Sequence, residues 1–384
     1  MKKIVAIGTA LIILQVFIVP TVFGETDTPS PPELKSEAAI VMDSKSGEVL
    51  YRKNAAKEMY PASLTKIATA IYTIENADLD EVATVSSNAR HTEGTRVYLE
   101  EGERVTIKKL LQGLLINSGN DAGVAIAEHV SGSVEKFAEE LNNYLRTEIG
   151  VSNTHFENPH GLFNLEHVTT AEDLAKITKY AMKNEVFKKI FGTKKLKWDG
   201  AAWDTTLYTH HKLMRQRPYD KVITGGKTGY VNQSGFTLAT TAKKDNTSLI
   251  IITLNSNAHR GAYNDTIKLL NFGFENFQTS SIPKGSSYKV DGEEYIVRKN
   301  LYYTHSKDEQ PVEEIKSGGV LEITNHSGDV LAAFQLEDPA SSNEKDAKAQ
   351  SAPHTALGLP IQSHLPNLFV SIGLSIVDLF NKFI

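Results

Sequence analysis

Pro61-Ala62-Ser63-Leu64-Thr65-Lys66-Ile67-Ala68-Thr69-Ala70-Ile71 is the stretch around which the rest of the chain is organised. Pro61 stops an extended segment, and Leu64, Ile67, Ala68 and Ile71 then recur at helical spacing, so a helix with one buried face begins at Ser63. Ser63 falls in the first turn, where backbone amides have no partner inside the helix. Lys66 follows three residues later, which stands its amine one turn above the serine hydroxyl on the same face. A serine hydroxyl is a weak nucleophile and needs a base within about 3 Å. A lysine amine serves only if burial and a neighbouring cation pull its pKa from about 10.4 toward neutrality. Alone, Ser-x-x-Lys is more often an N-capping serine and a surface lysine; the flanking chain has to decide.

Upstream, Ala38-Ala39-Ile40-Val41-Met42 is a buried-strand run. The turn Ser44-Lys45-Ser46-Gly47 leads from it into Val49-Leu50-Tyr51, a hairpin that starts a sheet. Downstream, residues 107–116 form a helix with Leu110, Leu111, Leu114 and Leu115 on its apolar side. It ends at Asn117-Ser118-Gly119-Asn120, and a second helix covers 121–130. A polar loop between two apolar helices lets Ser118 and Asn120 reach into a cleft. There Ser118 could relay a proton between Lys66 or Lys227 and a leaving nitrogen, and Asn120 could hold Lys66 or a substrate amide. As an isolated tripeptide, Ser-Gly-Asn is a plain interhelical turn.

The third element is Lys227-Thr228-Gly229, preceded by Thr224-Gly225-Gly226 and followed by Tyr230. Phe236, Leu238, Thr240 and Ala242 then alternate as a strand, and Leu249-Ile250-Ile251-Ile252 reads as a fully buried one. Lys227 is therefore expected to open an antiparallel strand at the sheet edge, after a flexible Gly-Gly approach. Gly229 lets an extended substrate come close. Lys227 and Thr228 suit a terminal carboxylate, and Lys227 is also the candidate cation beside Lys66. The backbone amides of Tyr230 and Ser63 suit an oxyanion. A helix over 262–272 would close the domain against the sheet.

In series, Ser63-Leu64-Thr65-Lys66, Ser118-Gly119-Asn120 and Lys227-Thr228-Gly229 resemble the elements shared by penicillin-binding proteins and class A β-lactamases. Residues 38–277 are similar to the low-molecular-mass penicillin-binding proteins, the serine-type D-alanyl-D-alanine carboxypeptidases. The likeness extends to Met42-Asp43 with Gly47, to the run from Leu114 to Ala122, to Asn158-Pro159-His160-Gly161-Leu162 and to Asn271-Phe272-Gly273-Phe274. It implies an α/β (α+β) penicillin-binding/β-lactamase-like transpeptidase fold, an antiparallel sheet flanked by helices with a helical subdomain, and a second small all-β domain. It implies release of the terminal D-alanine from peptidoglycan stem peptides through an acyl-enzyme on Ser63, with Lys66 as base and Ser118 as relay. Asn120, Lys227, Thr228, Gly229 and Tyr230 would bind substrate, β-lactams would inhibit covalently, and no cofactor or metal is implied.

Two other functions compete. A class A β-lactamase needs a glutamate-held water for deacylation, and Glu157 lies in the Asn-Pro-His-Gly loop instead of a matching motif. A non-catalytic wall-binding protein would be expected to lack Ser63, Lys66 or Lys227. The same machinery can also support endopeptidase action on crosslinked stems. His155, His160, His210 and His211 read as structural or cleft-rim residues, with no acidic third partner to complete a zinc site.

The remainder of the chain divides by composition. Residues 1–24 read as a signal peptide, with Lys2-Lys3, an apolar run and a small-x-small site, an uncleaved N-terminal anchor being the alternative, and 25–37 as a linker. Residues 278–340 are strand-like and turn-rich, notably at 294–298, 319–323 and 330–334. Residues 341–365 read as a flexible tether, rich in Ala, Ser and Lys. Over 366–384, Asn367, Ser371, Ser375, Asp378 and Lys382 make one narrow polar stripe among phenylalanines and aliphatics. That pattern fits an interfacial helix on a membrane surface. The alternative is a helix packed on the protein itself or on a partner. An exported enzyme at the outer face of the cytoplasmic membrane follows. The chain has no cysteine, which excludes disulfides, thiolate metal sites and a lipoprotein anchor, and a net charge of −5, which disfavours nucleic acid.

Overall fold

The computed structural model describes residues 30–337, which fall within one compact unit. Residues 1–29 and 338–384, and with them the expected leader and terminal helix, lie outside the described residues. None of the described helices is long and apolar enough to cross a membrane.

Ala38–Asp43 is apolar up to its last residue because both of its faces are covered. Ile40 and Met42 enter one hydrophobic cluster, while Ala39 and Val41 enter another on the opposite face. Thr247–Ser256 does the same, with Ile250, Ile252 and Leu254 on the first side and Leu249 and Ile251 on the second. The two-residue period thus fills two cores at once. The five-stranded antiparallel sheet runs Val49–Lys53, Ala38–Asp43, Thr247–Ser256, Gly235–Lys244 and Ile223–Val231. The helix His259–Asn276 covers one face. Gly273 allows that close approach, since a Cβ there would sit 2.6 Å from Leu249.

The other face carries the larger helical layer, including Thr65–Asn76, Ile107–Ile116, Asn120–Ser131, Val134–Tyr144 and Ala171–Ala181. Thr65–Asn76 was expected to bury one face, but every residue from Thr65 to Thr73 is buried. Its threonines make this possible by bonding backbone carbonyls: Thr73 Oγ1 donates to Thr69 at 2.7 Å, and Thr69 Oγ1 to Pro159 at 2.7 Å. The helix also starts later than expected. A 3-10 turn, Ala62–Leu64, precedes it, so Ser63 sits in that turn and not in the helix.

Beyond the catalytic region, Phe277–Ile282 pairs with Leu301–Ser306, Ser287–Val290 with Glu293–Ile296, and Val312–Lys316, Val320–Thr324 and Val330–Gln335 form a three-stranded sheet. Ile282, Tyr295, Val297, Leu321 and Ile323 make its own small core. Asp43 ties it to the first sheet: it accepts from the amides of Lys45 (2.8 Å) and Ser46 (2.9 Å) and from the hydroxyl of Thr279.

Candidate active site

The helix Thr65–Asn76, the Ile107–Ile116/Asn120–Ser131 junction and the edge strand Ile223–Val231 converge on one group of largely buried polar side chains. Lys66 Nζ lies 2.8 Å from Ser63 Oγ, 2.8 Å from Asn120 Oδ1 and 2.6 Å from the His160 carbonyl oxygen. The last two are acceptors only. A neutral amine therefore spends both hydrogens on them and directs its lone pair at the Ser63 hydroxyl. Lys66 is completely buried, and its pKa is held well below the ordinary lysine value, first by burial and then by the charge of Lys227, with Asp121 opposing. Burial and a second cation are the two causes the sequence required.

Asn120 is oriented by its surroundings. Its Nδ2 donates to the Glu93 carbonyl at 2.7 Å and its own amide to Thr95 at 2.7 Å, so Oδ1 must face Lys66. Asn120 therefore holds the lysine, the first of the two roles open in the sequence. Asp121, buried beside it, accepts from the amides of Val97 (3.0 Å), Leu99 (3.1 Å) and Ala122 (2.9 Å), pinning the 95–99 segment to the helix start.

Lys227 Nζ donates to Ser118 Oγ at 2.9 Å and to the Thr228 carbonyl at 2.8 Å. Burial pushes its pKa down to about 7. Lys227 was expected to open its strand, but it lies in the middle of Ile223–Val231, the edge strand of the sheet. The preceding glycines are not a flexible approach. A Cβ at Gly225 would sit 2.3 Å from the Phe191 ring, and one at Gly226 2.3 Å from the His211 ring. They let the strand, whose pairing register shifts between Ile223 and Gly225, press against two aromatic side chains. Gly229 passes the nucleophile equally closely, where a Cβ would lie 2.9 Å from the Ser63 amide nitrogen. Thr228 and Tyr230 follow on the same strand, with Tyr230 exposed.

Two residues at the site sit in left-handed backbone without being glycine: Ala62 at φ +48° and Ser118 at φ +62°. Such strain persists where surrounding contacts over-determine the geometry. Gly161, at φ +87°, shows how tightly the turn is enclosed, because a Cβ there would fall 1.9 Å from the Ala62 carbonyl oxygen.

His211 and His155 are each held by a side-chain partner. His211 is buried, with Nε2 2.8 Å from Thr240 Oγ1, and His155 pairs with Glu157 at 2.6 Å. His160 contributes through its carbonyl, a role that a reading of side-chain chemistry passes over. The clamps on Asn120 are equally invisible in the sequence, because they are main-chain carbonyls of residues distant in the chain. Among the described residues no cluster of His, Cys, Asp or Glu could hold a metal ion.

A family model described as D-alanyl-D-alanine carboxypeptidase matches residues 25–258. The D-alanyl-D-alanine carboxypeptidase DacF of Bacillus subtilis is 33% identical over 296 residues, 74% of each chain. DacA of Haemophilus influenzae is 31% identical over 278 residues, 67% of this chain and 65% of the relative. Among solved structures, penicillin binding protein 5 from Haemophilus influenzae superposes with a TM-score of 0.72 at 24% identity, covering 80% of this chain and 98% of that one, a likeness of fold. Penicillin binding protein 6B from Escherichia coli gives 0.69 at 26% identity, covering 81% and 98%. With the lysine-paired serine in place and more than half its length matched, the chain belongs to the serine-type D-alanyl-D-alanine carboxypeptidase family.

Proposed function

We propose that this enzyme removes the C-terminal D-alanine from peptidoglycan stem peptides ending in D-alanyl-D-alanine, through an acyl-enzyme on Ser63. The observation that carries the assignment of roles is the three-way contact of the Lys66 amine, which leaves its lone pair facing the hydroxyl. The stem peptide lies along the edge strand, its terminal carboxylate against Lys227 and Thr228, with Gly229 giving its backbone room. Ser63 Oγ bonds the penultimate carbonyl carbon while its proton passes to Lys66. The oxyanion rests on the amides of Ser63 and Tyr230; losing one such donor typically costs about 2.7–4 kcal/mol. Lys227, by donating to Ser118 Oγ, leaves the Ser118 proton free for the leaving nitrogen. Breaking the C–N bond releases D-alanine as Ser118 gives up that proton and regains one from Lys66. Neutral again, Lys66 takes a proton from the water that hydrolyses the acyl-enzyme.

β-Lactams carry a carboxylate and a reactive amide in the same relation, so they acylate Ser63 as substrate analogues. The test is intact-mass spectrometry after a penicillin pulse, alongside D-alanine release from a diacyl-lysyl-D-alanyl-D-alanine peptide. A mass increase mapping to Ser63 and lost in Ser63→Ala is expected; unmodified protein ends the assignment. We further propose export and peripheral attachment to the outer face of the cytoplasmic membrane through residues 366–384, with 278–340 as a spacer. The polar stripe at helical spacing supports this. Deleting the chain after Leu365 should move the protein to the soluble fraction with its peptidase activity intact. Continued sedimentation with membranes overturns the attachment.

A further inference from the structure

The peptide unit joining Ala62 to Ser63 carries two groups that point opposite ways, the Ala62 carbonyl and the Ser63 amide. Whatever grips the first therefore aims the second. Thr65 Oγ1 donates to the Ala62 carbonyl at 2.8 Å, and Thr65 Oγ1 also lies 2.8 Å from His167 Nε2. The hydroxyl has one proton, already committed to Ala62, so the imidazole must be the donor. The other ring nitrogen confirms this tautomer, since His167 Nδ1 accepts from the Glu157 amide at 3.0 Å. One chain of hydrogen bonds results, running from the Glu157 amide through His167 and the Thr65 hydroxyl to the Ala62 carbonyl.

The far end of that chain is fixed. His167 is 2% exposed, stacks on Phe156 at 4.8 Å with 20° between the rings, and is kept neutral by burial, its pKa down at about 3. Ala62 needs such a hold, because its φ of +48° is unfavourable for a residue with a Cβ. Gly161 packs against the same carbonyl, with a Cβ there falling 1.9 Å from its oxygen. None of these groups contacts the Ser63 hydroxyl chemistry directly.

We propose that His167 and Thr65 are positioning residues that orient the Ser63 amide as an oxyanion donor, locking the Ala62–Ser63 peptide plane before substrate arrives. This rests on the assignment of that amide to the oxyanion site. The arrangement stabilises the tetrahedral intermediate more than bound substrate, so its loss falls on kcat and not on substrate affinity.

The test uses the full-length enzyme and four variants: Thr65→Val and His167→Phe, which keep volume but break the chain, and Thr65→Ser and His167→Gln, which keep a donor. Thr65→Val and His167→Phe should lower kcat/KM on the D-alanyl-D-alanine peptide by about tenfold to a hundredfold, less than outright removal of an oxyanion donor. Affinity for a boronic acid that forms a tetrahedral adduct on Ser63 should fall by the same factor. The Kd of the peptide, measured on a Ser63→Ala background, should stay unchanged, and both limbs of the pH–rate profile should remain. Thr65→Ser and His167→Gln should recover most of the activity. Wild-type rates in both volume-keeping variants, a loss confined to peptide Kd, unchanged boronate affinity despite a lower kcat, or disappearance of a pH limb would each overturn the proposal. Should one of them fail to fold, the other carries the same comparison. Absence of a boronate adduct on the wild-type enzyme would instead strike the acyl-enzyme assignment.

Discussion

Gly161→Ala tests how rigidly the nucleophile's turn is held. The new Cβ would lie 1.9 Å from the Ala62 carbonyl oxygen, 2.4 Å from its carbon and 3.0 Å from the Ser63 amide nitrogen. All three are main-chain atoms, so no flexible side chain can swing away, and the backbone must retreat by more than about 1 Å to restore ordinary contact. The φ of +87° adds strain of about 1–2 kcal/mol for a residue with a Cβ, and overpacking adds about 1–3 kcal/mol. Displacing the turn on that scale should slow Ser63 acylation about 100-fold. Gly150→Ala is the matched control: its φ is +77°, and a Cβ added there would meet nothing within 4 Å. It should lose only the conformational contribution, about 1–2 kcal/mol, and acylate normally. Urea denaturation midpoints and the rate of penicillin acylation, followed by intact mass, give both quantities. Wild-type acylation in Gly161→Ala, or equal slowing in Gly150→Ala, would refute the claim that contact at Ala62 fixes the nucleophile.

Other expectations concern charge and the link between the sheets. Asn120→Asp places a carboxylate on Lys66 in place of an amide oxygen 2.8 Å away, which favours the ammonium. The acid limb of the kcat/KM profile should therefore move to higher pH, and an unmoved limb would dissociate Lys66 from the base role. For a carboxylate-bearing substrate, the wild-type rate should rise as Lys66 loses its proton and fall above about 7 as Lys227 loses its own. Lys227→Met should erase the alkaline limb while lowering kcat/KM, and persistence of that limb assigns it elsewhere. Folded Lys227 binds fewer protons than the unfolded chain between about 7 and 10.5, so stability should rise with pH across that window and rise less in Lys227→Met, as thermal melts can show. Asp43→Ala orphans the amides of Lys45 and Ser46 and the Thr279 hydroxyl. A loss of about 2–4 kcal/mol with normal penicillin acylation is expected, and a neutral effect would mean the link is not structural.

The parts of the fold legible in the sequence are those governed by local rules. Ile107–Ile116 is readable to the residue because a leucine stripe and a polar stop bound it. Ala38–Asp43 and Thr247–Ser256 are readable because strands covered on both faces become continuous apolar runs. Ser63, Lys66, Ser118, Asn120 and Lys227 stand out by spacing, and the fold brings them into two hydrogen-bonded sets, Ser63–Lys66–Asn120 and Ser118–Lys227, with the charge of Lys227 acting on Lys66. What escapes notice depends on contacts remote in the chain. Gly225-Gly226 looks like a loop until Phe191 and His211 are seen pressing on the strand. The 3-10 turn before Thr65 is imposed by Ala62 and Gly161, and no local periodicity encodes it. His167 resembles any loop histidine until its two ring nitrogens are traced.

The left-handed backbone at Ala62 and Ser118 sets a trap for thermostability engineering. Glycine relieves such strain, so a screen ranking variants by melting temperature alone would be drawn to Ala62→Gly and Ser118→Gly. The first loosens the turn that presents the nucleophile, and the second deletes the hydroxyl held by Lys227. The hardiest proteins from such a campaign would include ones no longer able to trim cell-wall peptides.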